Sequence, residues 1–556
     1  MNEPDQQQPI ATDLSDPLYY LKNTLMVVDW IVATQGDLLN KLEHETLARF
    51  KSLPADHQAL LIRMIMRTQE VFLPSQLDHY AEINAPLPEI LPLLEQHKLI
   101  SINEPLNADQ VIRLLNRNQL LMLHNQIGSE RLPKSASKQQ ISDSILAILD
   151  RSLRLTDWLP ELGAPITANC QALFDRLKLM FFGNLRQSWS EFVVTELGLF
   201  QYEPVAIDHT SRAFHHRADV DQYLELDKIL MDQSSTLPDR IEKIQTIEPM
   251  SSWLAGRKNR ALFLLARELE RQDPQAALTV YSELPIQDAQ IRELRVLESQ
   301  TEFEQCIERV AAYRAQQPTP IADLSFERVV KRSYKKLGIE YTTKALKTPS
   351  EHRLELEKDD NLSVEKQVVA ALSDQHNRYY YVENSLLNTL FGLLFWDAIY
   401  APVSGAFFNP FQSHPADLYR RGFADKRTEL INDAFSEIER GSYRNTIIER
   451  AIQKRGVTNS LIRWSIVSDE LIETALQLIP AEHLSVIFKR LLSDIRTHRS
   501  GFPDLIRFDL EQNEYELIEV KGPGDRLQDN QRLWLDFFID EQIPCSVCWV
   551  SWSIDR

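Results

Sequence analysis

Glycine is scarce in this chain, fifteen in 556 residues, and unevenly spread. Between Gly198 and Gly338 there is only Gly256. Sheets and tight turns need glycine, so so long a stretch with so little punctuation reads as helical hairpins. Cysteine is scarcer still: Cys170, Cys306, Cys545 and Cys548 are too few and too scattered for a disulfide framework. Cys545 and Cys548 have Cys-x-x-Cys spacing, but Ile543 to Ser551 reads as a strand, which sends the two thiols to opposite faces. A buried strand is favoured there over redox or zinc chemistry. Long apolar runs are missing too. The best candidate is interrupted by Asp397, so no membrane-spanning helix is expected. Residues 1–16 lack the basic start and apolar stretch of a secretory leader, and the expectation is a cytoplasmic protein with no membrane partner. Positive charge is in deficit, 61 Lys+Arg against 80 Asp+Glu, a net −19. That total disfavours a nucleic-acid partner, because phosphate contact is driven by Lys and Arg. Distribution matters more: residues 1–100 hold 14 acids against 7 bases, whereas residues 111–190 hold 6 acids against 10 bases.

A chain of this length predicts roughly three or four domains at about 100–200 residues each. Residues 17–100 set apolar stretches such as Leu25 to Val32 and Leu60 to Met66 between polar joints at helical spacing. They predict a helical N-terminal domain, 1–105, with no visible chemistry. Residues 106–200 show a helix around Val111 to Leu123, a loop over Gly128 to Ser137, and a second helix from Lys138 to Leu149. In 201–361, Arg260 to Arg271, the break Gln272-Asp273-Pro274 and Gln275 to Tyr281 resemble a tetratricopeptide unit. Ala277 and Ala311 stand 34 apart, the repeat period of that family. Residues 362–556 carry eight of the fifteen glycines, as a strand-containing domain requires.

Chemistry concentrates in Gly501 to Lys521. Pro503-Asp504 opens an apolar run to Leu510, a polar turn follows at Gln512-Asn513, and a second run extends from Tyr515 to Lys521, the pattern of a β-hairpin. Strand alternation puts Leu517, Glu519 and Lys521 on one face and Ile518 and Val520 on the other. An antiparallel return brings Asp504 close to the Glu519/Lys521 end. Two carboxylates there suit a hard cation bound by oxygens and waters, and a lysine beside them suits charge stabilisation in phosphodiester hydrolysis. The alternative is a surface hairpin with a solvated Glu519–Lys521 pair. Against it, a strand as apolar as Leu517 to Pro523 should be buried, and buried charges need partners or a metal.

Pro503-Asp504 followed by Glu519-Val520-Lys521 resembles the PD-(D/E)xK nuclease signature. The fuller string, Gly501-Phe-Pro-Asp-Leu with Glu519-Val-Lys-Gly-Pro-Gly-Asp-Arg-Leu and Gln531-x-x-Trp534-Leu535, resembles the VRR-NUC domain of the Fanconi-associated nucleases. Tyr381-Val-Glu383-Asn-Ser and Thr389 to Asp397 look like that family's first catalytic segment. The resemblance implies Glu383, Asp504 and Glu519 as metal-site carboxylates, the Val520 carbonyl as a further ligand, Lys521 as the catalytic lysine, and Mg²⁺ or Mn²⁺ as cofactor. Counting Glu383, Leu387, Leu390 and Leu394 along one helix places the carboxylate on its inward stripe. Nothing in the sequence could form the zinc finger of eukaryotic members, so the likeness is to the compact bacterial form, expected in the cytoplasm at the nucleoid.

The family also has a SAP-type DNA-binding module where 106–200 fall, which gives Lys134 and Lys138 a phosphate-binding reading beside the plainer one of a helical hairpin. Arg420, Arg421, Lys426 and Arg427 are either a solvated face or a clamp on phosphate. Gln531 either bonds near the metal and DNA or faces water. The fold expected is mainly α, with a SAP-like region, tetratricopeptide-like repeats and a C-terminal α/β nuclease domain around a small mixed sheet. The function implied is a metal-dependent, structure-selective DNA nuclease, a 5′-flap endonuclease with 5′-to-3′ exonuclease activity, acting on branched or flapped DNA in interstrand crosslink repair. A junction resolvase or restriction-type endonuclease, and a non-catalytic scaffold binding branched DNA, stay open as alternatives.

Overall fold

A computed structural model describes residues 16–67, 69–128, 131–187, 200–232, 234–342 and 347–553. With glycine so sparse, helices start on polar caps. Asn40, Asn107, Asn116 and Ser137 each accept from the amide three residues on while a Glu or Gln at that position returns the bond. The N-terminal helices Tyr19–Gln35, Lys41–Lys51 and Ala55–Ile65 bury Val27, Ile31, Phe50 and Leu61 in a core that runs on into the helical hairpins between Arg217 and Leu337. The paired helices expected there are present. The alanine spacing does not mark them, because Ala277 is buried whereas Ala311 is exposed, so the two are not equivalent positions.

A short antiparallel sheet crosses the N-terminal half, with β1 (Val71–Phe72), β2 (Ile100–Ile102) and β3 (Ile166–Ala168) in the order β1-β3-β2. Beside it, the helices Ala108–Leu114, Arg117–Ile127 and Lys138–Ile148 bury Val111, Leu120, Leu123, Ile141 and Ile145 in a small core of their own.

The C-terminal sheet has five strands: β4 (Ser350–Leu356), β5 (Asn377–Tyr381), β6 (Leu505–Asp509), β7 (Glu514–Lys521) and β8 (Cys545–Trp552). Their order is β4-β8-β7-β6-β5, with β4, β8 and β7 parallel and the β5-β6-β7 part antiparallel. The sheet thus begins upstream of residue 362. β4 reads Ser-Glu-His-Arg-Leu-Glu-Leu and is mostly exposed, an edge strand whose charges hide it from any search for apolar alternation. On one face Leu505, Ile518, Val520, Cys548 and Val550 pack on Val368 of the helix Val364–Leu372. On the other, Ile506, Phe508 and Leu517 pack against the helices Leu386–Leu394, Ala481–Ser493 and Asp529–Asp540. Cys545 joins this second face and Cys548 the first, the separation expected of a strand. Among the described residues no single helix is long and apolar enough to cross a membrane.

Candidate active site

The hairpin β6-β7 pairs Leu505 with Ile518, and its turn closes through Asn513, whose φ of 56° lies in the left-handed region that Asn tolerates. Asp504 immediately precedes β6. Its Oδ2 accepts a hydrogen bond from the Val520 amide at 2.9 Å, and its carbonyl accepts from the Val382 amide at 2.8 Å. Asp504 is thereby held against β7 beside Glu519, while its main chain is tied to the segment leaving β5.

Glu519 is 0% exposed, and Asp504 and Lys521 are each 7% exposed. Lys521 Nζ lies 2.6 Å from Glu519 Oε1, yet neither Glu519 oxygen accepts a hydrogen bond of good geometry. The contact is a charge pair without a directed bond. Burial, then the charge of Asp504, pushes the Glu519 carboxyl up to about 8, and burial pushes Asp504 up to about 6. Two carboxylates facing one ammonium leave negative charge in excess and oxygen lone pairs unspent, which suits a divalent cation. Among the described residues no three His, Cys, Asp or Glu side chains close into a metal cage. A site of two carboxylates and a main-chain carbonyl fits Mg²⁺, which keeps several of its waters.

Glu383 sits differently from expectation. The stripe Leu387, Leu390 and Leu394 is buried, but Glu383 precedes the helix Leu386–Leu394 and is exposed. Asn384 is left-handed, with φ 47°, so the helical phase does not run back to Glu383. Its Oε2 accepts from the Tyr381 hydroxyl at 2.6 Å and its Oε1 from Asn384 Nδ2 at 3.2 Å. Its negative charge still reaches Asp504 and helps raise that carboxyl. Glu365 acts on Asp504 in the same way, from the first turn of the helix Val364–Leu372. Sequence reasoning missed Glu365, because an acidic residue in a helix's first turn looks like an ordinary partner for the helix dipole.

The loop before Asp504 is braced from the other side. Trp534 Nε1 donates to the carbonyls of His498 (3.1 Å) and Ser500 (3.2 Å). Gly501 adopts φ 92°, and a Cβ there would lie 2.6 Å from Asn530 Cβ. Only glycine lets the helix Asp529–Asp540 approach this closely.

The basic residues divide. Arg427 is buried, bonds both oxygens of Asp417 at 2.9 Å and lies 4.2 Å from the Phe423 ring, so it is a structural clamp and not a free phosphate ligand. Its partner, ten residues upstream, gave no local signal. Lys426 is exposed, 3.9 Å from Asp417. Lys138 is exposed but spends its ammonium on the Leu115 carbonyl at 3.1 Å, and Lys134 is exposed. Gln531 accepts from the Gln528 amide at 2.8 Å, capping its own helix. Arg420 and Arg421 line a cleft of about 730 Å³ together with Arg257, Arg260 and Arg496, between the helical hairpins and the C-terminal domain. Arg257 and Arg260 pair with Asp227 and Asp288, whereas among the described residues neither Arg420 nor Arg496 pairs with a carboxylate. These five arginines are dispersed over 240 residues, which is why the sequence showed only two of them as a cluster.

The family model of the VRR-NUC domain matches residues 438–552, and that of the "FAN1, HTH domain" matches 18–100. The Fanconi-associated nuclease 1 homolog of Pseudomonas aeruginosa is 37% identical over 553 residues, covering 98% of this chain and 97% of the relative. The chain belongs to the Fanconi-associated nuclease family. It is a DNA-hydrolysing enzyme. The Arabidopsis thaliana homolog of Fanconi-associated nuclease 1 is 24% identical, covering 95% of this chain and 66% of that protein. A crystal structure of paFAN1 bound to 2-nucleotide 5′-flap DNA with a gap superposes with a TM-score of 0.81 at 35% identity, covering 98% of this chain and 100% of that one. The match at 18–100 gives a family identity to the helical segment in which sequence reading found no chemistry.

Proposed function

We propose that this Fanconi-associated nuclease cuts DNA at 5′ flaps and trims from the 5′ end, with Mg²⁺ or Mn²⁺ held by Asp504, Glu519, the Val520 carbonyl and Glu383, and with Glu365 adding charge at the rim. The observation that carries the reading is the buried Glu519 carboxylate, whose oxygens face Asp504 and Lys521 with no good hydrogen bond to either. A divalent cation, when bound, supplies polarisation of a phosphoryl oxygen and a more acidic water. Lys521 contributes a buried ammonium that stabilises charge on the phosphoryl oxygens as the bond to the leaving oxygen stretches. The Val520 amide holds Asp504 in its ionised, oxygen-presenting orientation. Arg420 and Arg496, which form no salt bridge with a carboxylate among the described residues, grip phosphates of the DNA arms. Crosslink repair is the setting the family suggests for such an enzyme, in the bacterial cytoplasm.

The test is cleavage of end-labelled 5′-flap, 3′-flap, four-way and linear DNA of matched sequence, with and without Mg²⁺. Preferred, Mg²⁺-dependent cutting of the 5′ flap is expected. Equal rates on linear duplex, or a preference that follows sequence at fixed shape, would favour a restriction-type enzyme, and a preference for the four-way substrate a resolvase.

A further inference from the structure

We propose that Asn384 is a positioning residue that couples Glu383 to the Asp504 loop, an inference that rests on the metal-site reading above. Asn384 is a non-glycine residue held at φ 47°, a conformation that costs about 1–2 kcal/mol for most residues but less for Asn. Something fixes it there. Its Oδ1 accepts from the Phe502 amide at 3.1 Å, two residues before Asp504, and its Nδ2 donates to Glu383 Oε1 at 3.2 Å. The orientation of this side-chain amide is set by its partners, since only an oxygen can accept from the Phe502 N–H and only a nitrogen can donate to a carboxylate. Its carbonyl accepts from Asn388 Nδ2 at 2.9 Å, and the same Nδ2 donates to the Arg499 carbonyl at 2.8 Å.

The two asparagines thus tie one short stretch, 383–388, to two points of the loop 499–504. The far side of that loop is tied to Trp534 and Asn530. Among the described residues, Asn384 is the side chain that bonds both Phe502 of the Asp504 loop and Glu383. Glu383 is exposed, and among the described residues its rotamers are restrained by two bonds, from Tyr381 and from Asn384. Losing one frees a carboxylate that must otherwise be ordered when a cation binds.

Asn384→Gly is the direct probe, because glycine accepts the left-handed backbone without strain and deletes only the side chain. Mn²⁺ affinity, measured by titration calorimetry on the full chain without DNA, is expected to fall about 10–100-fold, the usual loss for an outer hydrogen-bond partner of a metal ligand. The Mg²⁺ midpoint of cleavage should move by the same factor, while flap-DNA affinity in EDTA stays unchanged. In a Glu383→Gln background the Asn384→Gly change should add little, since its route to the metal is already cut. Asn388→Ala should move the Mn²⁺ affinity in the same direction, and decides the matter if Asn384→Gly does not fold. Wild-type Mn²⁺ affinity in these variants, or a full additive loss in the Glu383→Gln background, overturns the proposal. Asp504→Asn run alongside separates the two levels: if it too binds Mn²⁺ normally, the metal-site reading itself fails, and if it alone loses Mn²⁺, only the coupling through Asn384 fails.

Discussion

Glu519 keeps two carboxylate oxygens buried without a good hydrogen bond, beside a second carboxylate, and such an arrangement lowers stability unless a cation offsets it. Both carboxyls are raised in the fold, to about 8 for Glu519 and about 6 for Asp504, so the native state binds more protons than the unfolded chain. Their destabilising effect is therefore absent below the ordinary carboxylate range and grows as pH rises toward 8. In EDTA, Asp504→Asn should melt higher than wild type at pH 8, with the advantage shrinking toward about pH 4. Added Mg²⁺ should raise the wild-type melting temperature and leave the variant nearly unmoved. A variant no more stable than wild type at pH 8 in EDTA would show that the pair is not strained. Arg427 carries the opposite lesson. Its buried pair with Asp417 makes Arg427→Ala costly, about 3–5 kcal/mol, because the buried carboxylate keeps only the more distant Lys426 ammonium, 3.9 Å away. Urea unfolding should show that loss, and DNA affinity of the folded fraction should not change. Nothing local in the sequence separates Arg427 from Arg420, since both lie in one basic run and only burial tells the two apart.

At the scale of elements, the hairpin was legible because two apolar runs, Leu505 to Leu510 and Tyr515 to Lys521, flank a polar turn, and its face assignment follows from the pleat alone. Asp504, Glu519 and Lys521 came together for the same reason. Glu383 was legible as a residue but not in its placement, because one left-handed residue resets the helical phase and no periodicity reports it. β4 was illegible because an exposed edge strand needs charge, not apolar alternation. The loop ahead of Asp504 depends on glycine in a way that the sequence stated only as a motif letter. Gly501→Ala meets both the positive φ and the Asn530 contact, so it should cost about 2 kcal/mol or more and displace Asp504. Its denaturant midpoint should fall and cleavage should drop further than stability explains. An Ala variant with wild-type cleavage would mean the loop re-seats without cost.

Over the whole molecule, a net −19 coexists with an arginine-lined cleft, so total charge was a poor guide and placement decided the matter. Arg420→Glu with Arg496→Glu should weaken DNA binding and lower the salt slope by about one per lost phosphate contact, with no change in sequence preference. Unchanged affinity and slope would remove the cleft from the DNA path. A grip on two arms favours interrupted DNA, because bending continuous duplex at a short site costs of order several kcal/mol and bending at a flap costs far less. The most direct measurement is the single-turnover cleavage rate of wild type and Lys521→Ala on a 5′-flap substrate and on linear duplex of matched sequence, at one salt concentration and with Mg²⁺ titrated from zero. The expected result is cutting that appears only with Mg²⁺, is faster on the flap, and is lost in Lys521→Ala at undiminished DNA affinity. Cleavage by Lys521→Ala at the wild-type rate, or wild-type cutting that ignores Mg²⁺, would contradict the account.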